Sequence, residues 1–122
     1  MTDEPIYHLA LPEDWAAAFV DGEYRTSTRG ATLDEVGFVH ASTRAQAEST
    51  ANRFYADVDQ LVLLTIDPDL LAHEIRWEPP TPDADEMFPH VYGPIPVGAV
   101  VSATFWTKAT DERGGRWDLG DL

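Results

Sequence analysis

The sequence predicts a single α+β domain, and three observations carry that prediction. The chain has 122 residues, close to the commonest length of one domain. It is 43% hydrophobic and 11% aromatic, too apolar for disorder, and long enough to bury roughly two-thirds of its unfolded surface without a staple. Its strand-like segments are grouped and do not alternate strictly with helices, which separates α+β from doubly wound α/β folds.

Pro5 to Ala10 alternates as a short strand, with Ile6, His8 and Ala10 on one face and Tyr7 and Leu9 on the other. Pro12 suits a helix first turn, Glu13 and Asp14 favour its positive end, and Gly22 stops it; Trp15 and Phe19 sit one turn apart. Glu23 to Thr28 reads as extended, and Arg29-Gly30 turns the chain into a polar connection. Gly37 to Ser42 is the next strand. Thr43 and Gln46 have capping-box spacing for a helix running to about Ala56, with Ala47, Ala51, Phe54 or Tyr55, and Val58 as its inner stripe.

Leu61 to Ile66 is apolar on both faces and is the best central strand, broken by Asp67-Pro68. His73 to Glu78 alternates, with Glu74, Arg76 and Glu78 opposite His73, Ile75 and Trp77. Pro79 to Glu86 is a proline-rich acidic loop long enough for a flap. Phe88 to Tyr92 is short and extended, and Val100 to Trp106 closes the set. The count is about six strands and two helices in a domain spanning 1–108, with 109–122 a loosely held tail.

Charge excludes more than it assigns. Eight basic and 22 acidic residues give a net charge of −14, which disfavours nucleic-acid backbones and anionic membranes. The acidic residues divide evenly, 11 in residues 1–60 and 11 in 61–122, so no acidic tail explains the value. No cysteine is present, which removes thiol nucleophiles, disulfides and thiolate metal sites. The acidic N-terminus lacks signal-peptide character, and no apolar run reaches the roughly 18 residues of a membrane span. A cytoplasmic location is the expectation.

Three of the four histidines occupy equivalent places, in Ile6-Tyr7-His8, Phe38-Val39-His40 and Phe88-Pro89-His90. Each shares a strand face with a large apolar side chain, and neighbouring strands would bring the imidazoles into one cleft. Any one of them is ordinarily a hydrogen-bonded structural group. Imidazole titrates near neutrality and suits acid–base work. No close His spacing and no HExxH supports a metal, so none is expected. Ser42 follows His40 by two residues, but no GxSxG elbow exists, and no GxGxxG or P-loop occurs. Glu78 ends a strand just before the proline-rich loop, where positioned carboxylates tend to work, while Arg76 reads first as an ion-paired strand residue. Phe88-Pro89-His90-Val91-Tyr92-Gly93-Pro94 would suit the wall of a pocket that stacks a flat ligand.

These segments resemble a family of small bacterial proteins, the domain of unknown function 952. The carrying residues are Ile6 to Tyr24, GFVHAS with Gln46 following, LVLLTID, RWE and FPHVYGPI, over about Ile6 to Phe105. The resemblance implies a fold similar to ADP-ribosyltransferases: a split, curved β-sheet with short flanking helices around a cleft for NAD. It implies that His8 contacts a ribose, and Phe38 to Ser42 looks like the strand bearing a second histidine in an RNA 2′-phosphotransferase branch. On this view an enzyme would act on NAD or a related nucleotide as substrate, with no certain cofactor. His8, His40, Glu78 and His90 would be catalytic, and Ser42, Arg76, Phe88, Tyr92 and Gly93 would bind ligand. The competing expectation is a non-catalytic module that keeps the cleft for a nucleotide or another small molecule. Charge supplies the test between them, since a dinucleotide site requires some of Arg25, Arg29, Arg44 and Arg76 to converge near His8 and His40. Scatter would count against the enzyme as well as against RNA.

Overall fold

The computed structural model describes residues 4–80, 82–111 and 114–119. They form one α+β domain of small antiparallel sheets and three helices. Its centre is a three-stranded antiparallel sheet in the order β1 (Ile6–Ala10), β6 (Gln60–Ile66), β10 (Val100–Thr107). The apolar run expected at Leu61 to Ile66 is the middle strand. His8 lies opposite Leu64 and Leu9 opposite Leu63 across the β1–β6 pair.

Period-two alternation sends neighbouring side chains of β1 and β6 into two separate cores. Ile6, Ala10, Val62, Leu64 and Ile66 join the first, with Ala18 of α1 (Pro12–Asp21) and Tyr24 of β2 (Glu23–Tyr24). Tyr7, Leu9, Leu61 and Leu63 join the second, with Ala47, Ala51 and Tyr55 from α3 (Arg44–Phe54) and its C-cap. The α3 stripe therefore continues through Tyr55, and Phe54 is exposed. Gly22 ends α1 in the left-handed conformation, at φ 89°. The Thr43–Gln46 capping box is formed in both directions.

Three features differ from the sequence reading. The polar connection after Gly30 holds β4 (Ala31–Thr32), paired with β3 (Thr26–Thr28), and a four-residue helix, α2 (Leu33–Val36). Thr32 and Glu35 form a second capping box there, and Leu33 is buried. The extended stretch at Gly37 to Ser42 is a strand only at β5 (Val39–His40). Of the stretch 109–122, residues 112–113 and 120–122 lie outside the described residues. Residues 117–119 are not loosely held: Trp117 and Leu119 are buried in the second core, where the Trp117 ring meets Trp106 at 4.9 Å. The Trp117 indole N–H donates to the Tyr55 carbonyl at 2.9 Å, and Asn52 bonds both the N–H and the carbonyl of Trp117.

A second three-stranded antiparallel sheet runs β5, β8 (Phe88–Val91), β7 (Ile75–Glu78). Among the described residues, backbone-to-backbone pairing joins it to the first at one residue pair. The Tyr7 N–H donates to the Ser42 carbonyl at 2.8 Å, and the Ser42 N–H donates to the Tyr7 carbonyl at 2.7 Å. Short pairings of β2 with β9 (Ile95–Pro96), and of β11 (Ala109–Asp111) with β12 (Gly114–Arg116), complete the topology. No helix among the described residues is long and apolar enough to cross a membrane.

Candidate functional site

Beyond the Tyr7–Ser42 pair the backbones of β1 and β5 stop pairing, and the His8 side chain spans the gap. Its Nδ1 lies 2.6 Å from the His40 carbonyl, which can only accept, so Nδ1 carries the proton. Nε2 then accepts from the Tyr24 hydroxyl at 2.9 Å. Burial pushes the His8 pKa down to about 4, so this ring is neutral with both nitrogens occupied. His8 acts as a strut between the sheets, leaving neither nitrogen free for a ligand.

A cavity of about 460 Å³ opens at this divergence, lined by His8, Leu9, Arg29, His40, Ser42 and Tyr55, among others. A second, of about 350 Å³, adjoins it and is lined by Gln46, Arg53, Asp83, Glu86 and Phe88 among others. The two share His40, Thr50, Phe54 and Pro80, so they are compartments of one cleft with His40 at the junction. Both volumes lie in the small-ligand range. Burial and the neighbouring His90 bring the His40 pKa down to about 4, so His40 is also neutral near pH 7.

The remaining predicted residues apart from Gly93 gather beside and behind His40 on the same face of the second sheet. In register, His40 faces His90 and His90 faces Arg76, and cross-strand partners share a face. The opposite face sends Val39, Ala41, Val91 and Ile75 into the first core. His90 is buried; its Nδ1 is 2.9 Å from a Glu78 carboxylate oxygen, the same oxygen to which the Tyr92 hydroxyl donates. These two hydrogen bonds hold the Glu78 carboxyl below its ordinary pKa, and the hydrogen bond that Tyr92 donates to Glu78 raises that of Tyr92. Phe38 stacks on His90 at 4.0 Å, and the Arg76 guanidinium lies 4.4 Å over the Tyr92 ring while pairing with Glu74 at 3.1 Å. His90 Nε2 is buried without a hydrogen-bond partner among the described residues, a condition that costs about 1–3 kcal/mol.

The cleft thus brings together His8, His40, Ser42 and Phe88. Glu78, His90, Tyr92 and Arg76 form a separate network beneath it. Gly93 lies elsewhere: the His73 ring covers it, and a Cβ there would sit 2.1 Å from His73 Cδ2, so close packing against His73 accounts for the glycine. The arginines scatter. Arg25 pairs with Glu23 at 2.7 Å, Arg44 lines a different cavity, and Arg76 is paired with Glu74. Of these four only Arg29 lines the compartment that holds both His8 and His40, where two bonds to Asp57, at 2.6 and 2.8 Å, pair its charge; Arg53 lines the adjoining compartment.

Sequence reasoning missed the helix side of the cleft. Gln46, Thr50, Arg53 and Phe54 follow the i, i+4, i+7, i+8 spacing of a second stripe on α3, beside the stripe of Ala47, Ala51 and Tyr55. That second periodicity was the available signal. Asp83 and Glu86 come from the proline-rich loop.

A family model described as a protein of unknown function (DUF952) matches residues 9–103. The crystal structure of protein CC0527 from Caulobacter crescentus superposes with a TM-score of 0.77 at 29% identity, covering 96% of each chain. A double mutant of that protein gives 0.77 at 28% identity over the same coverage. Its solution NMR structure gives 0.70 at 28%, over 92% of this chain and 90% of that one. No curated protein matches the chain.

Proposed function

The chain belongs to the DUF952 family, and from that premise we propose that it binds a flat, uncharged ligand of nucleoside size in the cleft between its two sheets. The observation that carries this reading is the placement of His40, a neutral imidazole at the junction of two adjoining compartments of ligand size. Phe54, Phe88 and His40 offer faces for a heterocycle, while Ser42 and Thr50 offer hydroxyls. Asp83 and Glu86 suit sugar hydroxyls and repel phosphate. The divergence of β1 and β5 at Tyr7–Ser42 supports the finer reading of the fold as an ADP-ribosyltransferase-like split sheet.

The second reading is an enzyme that breaks NAD, by ADP-ribosyl transfer or glycohydrolysis, and the two-compartment shape favours it. Nicotinamide leaves as a neutral molecule from a cationic base, so such an enzyme needs only to hold ribose and stabilise an oxocarbenium-like state. Three things weigh against it. The pyrophosphate would find one neutralised arginine in the first compartment, Arg53 beside two carboxylates in the second, and Glu78 engaged behind His40.

Calorimetric titration with purine and pyrimidine nucleosides, and with NAD, tests both readings. We expect saturable binding of a nucleoside, weaker binding of NAD, no release of nicotinamide, and at least roughly tenfold weaker nucleoside binding in His40→Ala. An absence of heat with every nucleoside at millimolar concentration overturns the proposal. Catalytic release of nicotinamide replaces it with the enzyme.

A further inference from the structure

One buried group is left without a role by ligand binding alone. His90 is held from two sides, by the bond from its Nδ1 to Glu78 and by the stacked Phe38 ring. Its Nδ1 donates to a carboxylate, so in the neutral ring Nε2 is an acceptor, and that acceptor has no partner among the described residues. The ring directly across the strand pair is His40, with centroids 5.0 Å apart. His40 is only half-buried, and His90 is fixed, so a rotation of His40 is the movement that can bring an N–H to Nε2.

We propose that Glu78, His90 and His40 form a proton relay that makes the cleft a site of acid–base chemistry. The His40 N–H donates to His90 Nε2, and the other His40 nitrogen accepts a proton from a hydroxyl or water held with the ligand. In that step an O–H bond breaks and an N–H bond forms. The oxygen keeps the electron pair as an alkoxide or hydroxide, and the positive charge on His40, which burial disfavours at rest, is offset through His90 by the Glu78 carboxylate. His40 is the residue that touches ligand, whereas His90 and Glu78 are positioning residues. Around the trio stand Arg76, Glu74 and Tyr92 beside Glu78, His8 at the His40 carbonyl, and Arg53, Asp83 and Glu86 across the cleft. The identity of the ligand rests on the reading above; the relay itself does not.

Peptide-resolved acylation of the full chain by diethyl pyrocarbonate tests the relay without any ligand. The reagent reports the nucleophilicity of unprotonated imidazole, and exposed His73 serves as the internal reference. Glu78→Gln is expected to lower the His40:His73 rate ratio by roughly tenfold or more, with the fold retained by circular dichroism. His90→Gln should do the same, and if it fails to fold, Glu78→Gln carries the test. Mere loosening of the sheet would expose His40 and raise the ratio, the opposite sign. A folded Glu78→Gln protein with an unchanged or raised ratio overturns the relay. Failure of every nucleoside to bind overturns the ligand assignment and leaves this ratio standing on its own.

Discussion

The two three-stranded antiparallel sheets of this domain are built alike and used differently. In the central sheet, β1 and β6 send alternate side chains into two cores, and every residue of β1 is buried. The second sheet gives one face to the first core through Val39, Val91 and Ile75. Its other face carries His40, His90, Phe88, Arg76 and Glu78, and is roofed in part by Phe38 and by the cleft. A strand covered on both sides has no position left for chemistry, because each side chain is committed to packing. A strand covered on one side can hold ionisable groups on the other while its backbone stays anchored. His8 is the exception that fits the rule: it lies on β1, a strand covered on both sides, and both its nitrogens are spent within the protein.

Three measurements bear on that contrast. The largest effect is expected from Trp117→Ala, which should cost about 3–5 kcal/mol by urea denaturation. That ring is fully buried, donates to Tyr55, and packs on Trp106 to cover the second face of the central sheet. A loss below about 1 kcal/mol would mean that two-sided covering is not what stabilises β1 and β6.

Next is the dependence on pH carried by His8. Its folded pKa of about 4 lies below the ordinary 6.5, so between those values the unfolded chain binds more protons. Stability from this group is therefore full above pH 6.5 and is lost as the pH falls toward 4, by about 3 kcal/mol in all. The half-buried His40 adds a smaller loss of the same sign. The urea midpoint of the wild type should fall over this window, and His8→Gln should flatten the fall. An equally steep fall in His8→Gln would place the titrating group elsewhere.

The smallest effect is expected from His40→Ala, at about 1 kcal/mol or less in the same urea assay. This ring lines a cleft and fills no core. If its removal costs as much as Leu64→Ala, for which about 2–5 kcal/mol is ordinary, the second sheet is a packing element after all and the contrast collapses.

What could be read from the sequence was what lies close along the chain. The apolar run LVLLTI announces a strand buried on both faces, and Thr43 with Gln46 announces a helix start; both signals span a few residues. The same signal was present in Thr32-Leu33-Asp34-Glu35, where turn chemistry on either side hid it. Trp117 sits among glycines and acidic residues, and contacts with Trp106 and, more than 60 residues away, with Asn52 and Tyr55 make it core. The placement of the three histidines on strand faces was legible. Their division of labour was not, because it depends on where β1 and β5 part: one spans the gap, one lines the cleft, and one stands behind it.

The hydrogen-bonded pair of Tyr7 and Ser42 also divides the surface of the domain. On one side of it lies the cleft with His8 and His40. On the other, Pro5, Ile6, Arg44, Ile75 and Trp77 bound a cavity of about 690 Å³. The pair and the neighbouring bond from His8 to the His40 carbonyl form the partition between the two openings, so the wall that separates them is hydrogen-bonded backbone and one imidazole.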